Sequence, residues 1–458
     1  MKHHSNQQTR VAIIGAGIAG LAAGYELSKK GIDVQVFEKL DRPGGRMQTS
    51  SVDGYLFDSG TDFFSDNYLQ MKAYAKEFDI PWVPYSKQSW QRIFRDGTAH
   101  VLHLRGVSDL FKIKVLSPGA KLRLLRWLIL RESIDSGVDF FNLSSVPSAL
   151  DNETAAKYLK RSLGTEINDY IVDPFVGAMQ FHRTDELSAG TFLALAQAFA
   201  STTEKFIPRY TEGGIDKIAQ ALASKLHVTY GADIATATPT KHGIEIAFQN
   251  KSKQVFDIAI FATPAPITER LFAGASDNQR TFLRSAKYAS TITVALTIPS
   301  TLSDESHCTY VPYVENKLIG SYTFEYNKNV AFERNGRGVV NVYLQDSATQ
   351  TLMQEHDDSI FQRVVEELPK VCPELHGYEK DIQPLTLQRW PLAMPKFDHQ
   401  YITDVQTFLK QHQGKQGIYF AGDYLNAPWT EGASRSGIRA ANLILDQLNT
   451  GQETQSAA

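Results

Sequence analysis

The sequence predicts an α/β fold in which a Rossmann-like dinucleotide-binding domain is assembled from separated parts of the chain. A short apolar run at 11–15 is typical of a buried strand, and residues 18–30 then carry apolar side chains at helical spacing. A second strand at 33–38 completes a βαβ unit with a very short first turn. The chain returns to this pattern late, with an apolar strand at 417–421 and a helical segment from about 434 to 449. Nucleotide-type elements therefore occur at both ends of the chain.

The middle of the chain predicts a second domain of mixed α+β type, inserted into the first. Helical spacing dominates from about 65 to 205, whereas strands and helices mix from 286 to 385. The dinucleotide-binding domain is expected to comprise residues 1–85, 205–285 and 386–450, the substrate domain 86–204 and 286–385, and a polar tail 451–458. Within the first part, Asp53-Gly54 predicts the turn of a β-hairpin.

Composition and charge exclude several classes of protein. Of the 458 residues, 42% are hydrophobic and 21% charged, which is typical of a folded globular chain. The net charge of −3 gives no indication of a nucleic-acid partner. Two cysteines, Cys308 and Cys372, are too few for a disulfide framework or a four-cysteine zinc site, and we expect no metal centre. Because the sequence shows neither a long apolar span nor a signal peptide, we expect a cytoplasmic protein.

Three glycines follow the G-x-G-x-x-G pattern between the first strand and the first helix. Gly15 permits the tight turn, Gly17 lets a pyrophosphate approach the backbone, and Gly20 lets the helix pack closely on the strand. The start of the helix also offers unpaired N–H groups to phosphates. Glu38 ends the second strand, where an acidic side chain accepts hydrogen bonds from ribose hydroxyls. These residues predict a dinucleotide site.

Further glycines indicate a flavin rather than a nicotinamide cofactor. Gly44 and Gly45 follow the acidic residue and allow a second close approach of the backbone, while Arg46 can neutralise a phosphate or support the flavin end. A nicotinamide-binding unit has no need of this segment. Near the end of the chain, Asp423 can bond a cofactor hydroxyl, and small residues at 431–437 open a helix. The dipole of that helix would stabilise the negative charge of a reduced flavin.

These motifs resemble the FAD fingerprint of the flavin amine oxidase superfamily, which includes protoporphyrinogen oxidases, carotenoid and squalene-type desaturases, and monoamine and polyamine oxidases. The resemblance covers nearly the whole chain and extends through residues 57–60, 212–214, 261–264 and 417–442. It implies a glutathione reductase-type FAD-binding domain. It also implies non-covalent FAD, because no cysteine lies near Ala393, where covalent members carry one. The motifs and the resemblance together assign the following residues to FAD: Gly15, Gly17, Ile18, Ala19, Gly20, Glu38, Lys39, Gly44, Gly45, Arg46, Gly60, Thr61, Ile234, Ala262, Thr263, Trp390, Gly422, Asp423, Thr430 and Ala433.

Two positions bear on the catalytic chemistry that the resemblance implies. Trp429 lies where monoamine oxidases carry an aromatic residue facing the flavin, so it either forms a wall of a substrate cage or packs beneath the flavin loop. Thr293 lies where amine oxidases carry a lysine that holds water at flavin N5, and no lysine occurs between Lys287 and Lys317. This departure disfavours an ordinary amine oxidase. A neighbouring group either lines a substrate cavity or forms a helical core: Phe175, Met179, Phe181 and His182.

The resemblance implies an FAD-dependent oxidase or dehydrogenase, closest in kind to protoporphyrinogen oxidases and desaturases. An apolar or cyclic small molecule would pass a hydride to flavin N5, with dioxygen as the expected electron acceptor. Three alternatives stay open: oxidation of a C–N bond in an amine or cyclic imine, a redox-neutral flavin isomerase, and a non-enzymatic carrier like the Rab GDP-dissociation inhibitors. The intact glycines and Glu38 disfavour the carrier.

A basic amphipathic stretch at 112–131 lies in the inserted domain. Basic residues alternate there with apolar ones, no acidic residue interrupts them, and Ser117-Pro118 predicts the start of a helix. Such a helix either lies peripherally on an anionic membrane or is a domain helix with a solvated basic face. The basic residues are Lys112, Lys114, Lys121, Arg123, Arg126 and Arg131.

Overall fold

The computed structural model describes residues 9–85, 90–102, 112–130, 138–200, 207–303 and 306–456. Its strands are β1 (Arg10–Ile14), β2 (Asp33–Phe37), β3 (Thr49–Val52), β4 (Tyr55–Asp58), β5 (Phe64–Ser65), β6 (Trp82–Pro84), β7 (Trp90–Arg95), β8 (Thr98–Leu102), β9 (Pro208–Thr211), β10 (His227–Thr229), β11 (Ile234–Thr240), β12 (Gly243–Phe248), β13 (Lys253–Phe256), β14 (Ile258–Phe261), β15 (Tyr288–Pro299), β16 (Ser306–Tyr310), β17 (Ile319–Phe324), β18 (Glu333–Arg334), β19 (Arg337–Leu344), β20 (Gln383–Pro395) and β21 (Ile418–Phe420). Its α-helices are α1 (Ile18–Ser28), α2 (Leu69–Glu77), α3 (Pro118–Leu130), α4 (Ala155–Ser162), α5 (Thr165–Ile167), α6 (Asp173–Gln180), α7 (Ala189–Ala200), α8 (Lys217–Ala223), α9 (Ala265–Leu271), α10 (Asp277–Ser285), α11 (Glu325–Lys328), α12 (Asp346–Leu352), α13 (Asp357–Val371), α14 (Tyr401–His412) and α15 (Trp429–Ser456).

A five-stranded parallel sheet, with strand order β10-β2-β1-β14-β21, forms the centre of one half of the molecule. Its strands come from the beginning, the middle and the end of the sequence, so the predicted α/β fold is confirmed. In β1, every residue after the first is buried, as expected of a strand with both faces covered. Helix α15 packs closely on α1, because a Cβ at Gly437 would lie only 2.0 Å from the carbonyl oxygen of Ala19.

A larger, mostly antiparallel sheet forms the second half, with strand order β20-β15-β19-β17-β16-β7-β8 and β18 beside β19. Helix α13 packs on this sheet through Ile360, Val364 and Leu368, which are fully buried and recur at the four-residue spacing of one helical face. Strand β20 pairs with β15 along most of its length. The domain boundary expected at residue 386 therefore falls inside a strand of the second sheet.

Helices α3 to α7 pack on β7, β8 and β16. They cover the face of the sheet opposite to the face that α13 covers. Their buried side chains, among them Leu159 and Phe192, share one apolar cluster with Ile93 and Tyr310 of the sheet. Helix α6 ends at Phe181, whose φ of 64° is left-handed.

Two local expectations have different outcomes. Strands β3 and β4 form the predicted hairpin, with Asp53 at φ 50° and Gly54 at φ 79°, as the Asp-Gly turn requires. Within the expected polar tail at 451–458, residues 451–456 are helical, because α15 begins at Trp429 and continues to Ser456. The polar residues after 450 extend the helix instead of leaving it.

Candidate active site

A cavity of about 520 Å³ lies beside the carboxyl ends of the parallel strands. Gly15 follows β1, Glu38 follows β2, Ala262 follows β14 and Gly422 lies just beyond β21, and all four border the cavity. Ligands of open α/β sheets bind at this edge, because the loops that leave the strands converge there. Residues of β15, β16, β17 and β19 border the opposite side. The cavity thus lies between the two sheets.

The glycines of the first motif are constrained in three different ways. Gly15 has φ 107°, and a Cβ there would lie 2.9 Å from the carbonyl oxygen of Ala262. A Cβ at Gly20 would lie 2.0 Å from the carbonyl oxygen of Gly15, so α1 could not approach β1 with a larger residue. A Cβ at Gly17, by contrast, would meet no protein atom within 4 Å. Gly17 therefore borders open space where a ligand can approach the backbone.

The second glycine pair lies directly beside the first motif. The N–H of Gly44 donates to the carbonyl oxygen of Ala16 at 2.9 Å, and Gly17 and Gly44 form a short parallel bridge. Gly17 also caps α1 without any side-chain hydrogen bond, which leaves the N–H groups of the first helical turn open to a ligand. The two motifs thus lie side by side, as a shared phosphate cradle requires, and phosphate binding there stays a prediction.

Glu38 holds the turn and borders the cavity at the same time. One carboxylate oxygen accepts from the N–H of Ala16 at 2.8 Å, and the other accepts from the N–H of Leu40 at 2.9 Å. A carboxylate has about four lone-pair positions, so Glu38 keeps the capacity to accept from ribose hydroxyls. Lys39 borders the cavity as well and makes an exposed ion pair with Asp233 at 3.4 Å.

Arg46 and Asp423, predicted separately, form an ion pair of 2.7 Å. The same guanidinium nitrogen of Arg46 donates to the carbonyl oxygen of Ala393 at 2.9 Å. Burial by itself lowers the pKa of Arg46, but the charge of Asp423 and its hydrogen bond outweigh burial and raise the pKa above the ordinary value. Both side chains border the cavity, so a fixed positive and a fixed negative charge stand together near its centre.

The remaining residues assigned to FAD fall into two groups. Two lie outside the lining of the cavity: Gly20, which packs α1 on β1, and Ile234, which begins β11 opposite Phe248. Thr430 has a buried hydroxyl without a hydrogen-bond partner at the start of α15, where a ligand could supply one. The others that border the cavity are Ile18, Ala19, Gly45, Gly60, Thr61, Ala262, Thr263, Trp390, Gly422 and Ala433.

Trp429 belongs to an aromatic wall of the cavity. Its indole N–H donates to the carbonyl oxygen of Met179 at 3.0 Å, and its backbone has a left-handed φ of 75°. Its ring lies 5.1 Å from that of Phe140, 6.2 Å from that of Tyr68 and 6.3 Å from that of Phe63. Trp429 is thus both packed among aromatic neighbours and in contact with the cavity. We define the aromatic wall as Phe63, Tyr68, Met179, Phe181 and Trp429, which all border the cavity.

A row of polar side chains on the antiparallel sheet also borders the cavity, here named the hydroxyl floor: Thr291, Thr293, Cys308, Ser321, Thr323 and Tyr343. The floor adjoins the aromatic wall, because the ring of Tyr343 lies 6.0 Å from that of Phe181. The register explains the row, because Thr293 lies opposite Tyr343, Tyr343 opposite Ser321, and Cys308 opposite Thr323. Alternate residues of a strand face the same side, so Thr291 and Thr293 border the cavity together. The hydroxyl of Thr293 is buried and has no hydrogen-bond partner.

A buried ionic cluster lies behind the floor and was not predicted. The fully buried ammonium of Lys328 contacts carboxylate oxygens of Asp58 at 2.7 Å, Asp62 at 2.9 Å and Glu325 at 2.9 Å. His307 Nε2 lies 2.8 Å from the second oxygen of Asp62. Asp62, His307 and Glu325 are spaced so that they could hold a metal ion, but Lys328 already supplies a cation among them. Of this cluster, Asp62 borders the cavity.

A family model for flavin-containing amine oxidoreductases matches residues 18–445. The chain belongs to this family. The resemblance predicted from the motifs is therefore confirmed, and the protein is an FAD-dependent oxidoreductase.

Individual relatives differ in their named activities. The chain is 33% identical over 190 residues to a mitochondrial protoporphyrinogen oxidase of Nicotiana tabacum, covering 41% of this chain and 35% of that protein. It is 21% identical to the coproporphyrinogen III oxidase of Staphylococcus aureus over 88% of this chain and 92% of that protein. Cyclohexylamine oxidase of Brevibacterium oxydans has a similar structure, with a TM-score of 0.76, 17% identity, and coverage of 97% and 100% of the two chains. The chain thus spans about a third of the length of the plant relative.

The geometry of the flavoprotein's cavity also fits FAD, and the observations that show this fit do not depend on the similar proteins. A bound dinucleotide would fill the open space at Gly17. It would also offer hydrogen-bond partners to the N–H groups at the start of α1 and to the hydroxyl of Thr430. Arg270 also borders the cavity and was not predicted; it is an exposed cation on α9, beside the loop after β14.

Sequence reasoning missed Asp62 and the partners behind it, because its neighbours in the sequence suggest only a loop. The alternation of Ser321 and Thr323 with aromatic residues could have indicated one face of the floor. Phe181 and Met179 border the cavity, whereas Phe175 packs in the helical cluster and His182 is buried away from the lining.

Proposed function

We propose that the protein dehydrogenates an apolar or cyclic organic molecule bound between the aromatic wall and the hydroxyl floor. The observation that supports this proposal is the lining of the cavity, which combines several aromatic rings with a row of hydroxyl-bearing side chains. Flat substrates gain dispersion and stacking energy from aromatic side chains. Among the described residues that border the cavity, the lysine is Lys39, on the FAD-binding side, and the floor carries Thr293 instead. A lysine-assisted oxidation of simple amines therefore has little support.

The roles of the chain's own residues follow from their positions. FAD supplies the hydride acceptor, its N5 atom, when it is bound. Trp429 and its aromatic neighbours would orient the substrate, and the buried floor would exclude water from the reacting carbon. The hydroxyl of Thr293 would donate to or accept from the substrate or a single water. We propose dioxygen as the acceptor that reoxidises the cofactor.

A second candidate is oxidation of a C–N bond in a cyclic amine or imine. A specific observation favours it: the carboxylate of Asp62 borders the cavity beside Cys308 and Thr323. A carboxylate suits a substrate nitrogen that carries a proton. Both candidates need a hydride to leave carbon, and they differ in whether nitrogen is bonded to that carbon.

Anaerobic stopped-flow reduction of the holoenzyme tests the two candidates. Protoporphyrinogen IX and coproporphyrinogen III represent the cyclic class, and cyclohexylamine and benzylamine the simple amines. We expect the flavin to bleach with a cyclic substrate and only slowly with the simple amines, and mixing the reduced enzyme with oxygen should restore its colour. Thr293→Val, which keeps the shape and removes the hydroxyl, is the matched variant. Fast reduction by the simple amines would replace the first candidate by the second.

We also propose peripheral contact with an anionic membrane through α3. The helix begins at Pro118, as predicted, and Leu122 and Ile129 expose 68% and 71% of their surfaces beside the exposed cations Arg123 and Arg126. In the described part of the chain, no helix is long and apolar enough to cross a bilayer. Cosedimentation with phosphatidylserine vesicles should exceed that with phosphatidylcholine vesicles, and Leu122→Gln with Ile129→Gln should reduce it. Arg131 lies outside the described residues.

A further inference from the structure

Asp62 differs in location from the other charged residues that border the cavity. The others lie on the side of the parallel sheet, where FAD binds: Glu38, Lys39, Arg46, Arg270 and Asp423. Asp62 is bound instead to His307 of β16 and Lys328 of α11, both in the second half of the molecule. It therefore presents a charge to the part of the cavity that the cofactor's phosphates and ribose do not explain.

The carboxylate of Asp62 is ionised and still has acceptor capacity. Lys328 donates to one oxygen at 2.9 Å, and His307 Nε2 lies 2.8 Å from the other. Burial raises the pKa of Asp62, but the charges of Lys328 and His307 outweigh burial and hold the pKa well below its usual value. Two of about four lone-pair positions are thus used, and the side chain keeps 16% of its surface exposed beside the cavity.

Behind the floor, more carboxylates than ammonium groups meet at Lys328. Three carboxylates, those of Asp58, Asp62 and Glu325, surround the single ammonium of Lys328. Burial raises the pKa of Glu325, although Lys328 opposes this effect, so Glu325 holds a proton more readily than an ordinary glutamate. Even with Glu325 neutral, the carboxylates of Asp58 and Asp62 both contact the one ammonium of Lys328.

A buried hydroxyl without a hydrogen-bond partner is the second feature of this part of the cavity. Thr293 is 2% exposed, borders the cavity, and its hydroxyl makes no hydrogen bond within the protein. A buried hydroxyl without a partner costs free energy unless a ligand or water satisfies it. The cavity therefore offers a charged acceptor, Asp62, and an unsatisfied hydroxyl, Thr293, together with the rings of the aromatic wall.

We propose that Asp62 is a specificity-determining residue, which accepts a hydrogen bond from an N–H group or a protonated nitrogen of a flat substrate. The inference rests on the proposed function, because it takes this part of the cavity to be the substrate site. The aromatic wall binds the ring of the substrate, and Asp62 binds the nitrogen at the edge of that ring. Lys328 and His307 act through Asp62 as positioning residues, since they fix its carboxylate and keep it ionised.

Binding of benzamidinium and benzamide to the oxidised holoenzyme tests the proposal. The two probes have nearly the same shape but differ in charge, and neither carries hydrogen on the carbon bonded to nitrogen, so no turnover intervenes. Perturbation of the flavin absorbance spectrum gives the two dissociation constants. A charge-assisted hydrogen bond predicts that the wild-type protein binds benzamidinium about ten- to a hundred-fold more tightly than benzamide. Asp62→Asn should remove this preference while benzamide binding changes little.

Asp53→Asn is the matched control, because Asp53 lies in the exposed β3–β4 turn and asparagine suits its φ of 50°. This control should keep the wild-type preference. An absent preference in the wild-type protein, or a retained preference in Asp62→Asn, would overturn the proposal. If Asp62→Asn fails to accumulate with FAD, Asp62→Ser decides: it removes the carboxylate and leaves space that water can fill, so the preference must be lost, and a retained preference overturns the proposal. These outcomes are independent of turnover, so they differ from a failure of the proposed function, which is a failure of every substrate to bleach the flavin.

Discussion

Replacing Gly17 by alanine should separate cofactor binding from folding. Gly17 has φ −67° and ψ 169°, an extended conformation that alanine adopts without strain, and an added Cβ meets no protein atom within 4 Å. The apo-protein should therefore keep its stability or gain about 0.4–1 kcal/mol, because alanine restricts the unfolded chain more than glycine does. The methyl group fills space beside the cavity that a pyrophosphate needs. Loss of one charge-assisted hydrogen bond, about 1.5–3 kcal/mol, weakens FAD binding by about ten- to a hundred-fold.

Two measurements on the same variant check this prediction. Urea unfolding of the apo-protein reports its stability, and titration with FAD, followed by quenching of flavin fluorescence, reports affinity. Gly119→Ala in the first turn of α3 is the matched control, since the nearest atom to its Cβ is a guanidinium nitrogen of Arg123 at 3.8 Å. It should leave FAD affinity unchanged. Wild-type FAD affinity in Gly17→Ala would show that the pyrophosphate does not approach this residue. An apo-protein less stable than wild type would show that the fold itself requires glycine at this position.

Three further predictions concern the substrate wall, the cofactor linkage and pH. Trp429→Phe, which loses the hydrogen bond to Met179, should slow anaerobic flavin reduction by about ten-fold and leave FAD content unchanged; loss of FAD as well would make Trp429 a packing residue. Acid precipitation should release intact FAD into the supernatant, and flavin in the pellet would contradict non-covalent binding. Burial lowers the pKa of His182 to about 4, so the folded protein resists its protonation and stability falls as the pH drops from about 6.5 towards 4, by up to about 3 kcal/mol. His182→Asn, which keeps a donor for the carbonyl of Arg183, should flatten this loss in urea unfolding at pH 7 and pH 5, and an unchanged slope would assign the titration to another group.

The cofactor half of the cavity could be predicted because its signals are local. A tight turn constrains Gly15 and a helix–strand contact constrains Gly20, both within a few residues of the chain or its neighbouring strand. Arg46 and Asp423 were each predicted from their own motif, but their ion pair was not. A salt bridge between distant segments depends on how two sheets dock, and no periodicity in the sequence reports that.

The substrate half was harder to predict for the same reason. Asp62, His307 and Lys328 look like ordinary solvated residues in the sequence, yet they meet in the interior because a loop, a strand and a short helix converge. The boundary expected at residue 386 falls inside β20 for a related reason. The strand β20 carries mixed polar and apolar residues, since it lies at the edge of its sheet, and such a pattern is easily read as a connection.

The order of the strands in the parallel sheet has a consequence for how the protein is made. Strand β21 pairs with β14, and Asp423 and Thr430, just after it, complete the cavity begun by Gly15 and Glu38. During synthesis the first glycine turn leaves the ribosome long before its partners at the other end of the sequence, because a chain grows from its N-terminus. A nascent chain can form the opening βαβ unit but not the closed cavity. Capture of the flavin would then follow the synthesis of β21 and the start of α15, and yellow colour would report chains in which these elements have docked on the opening βαβ unit.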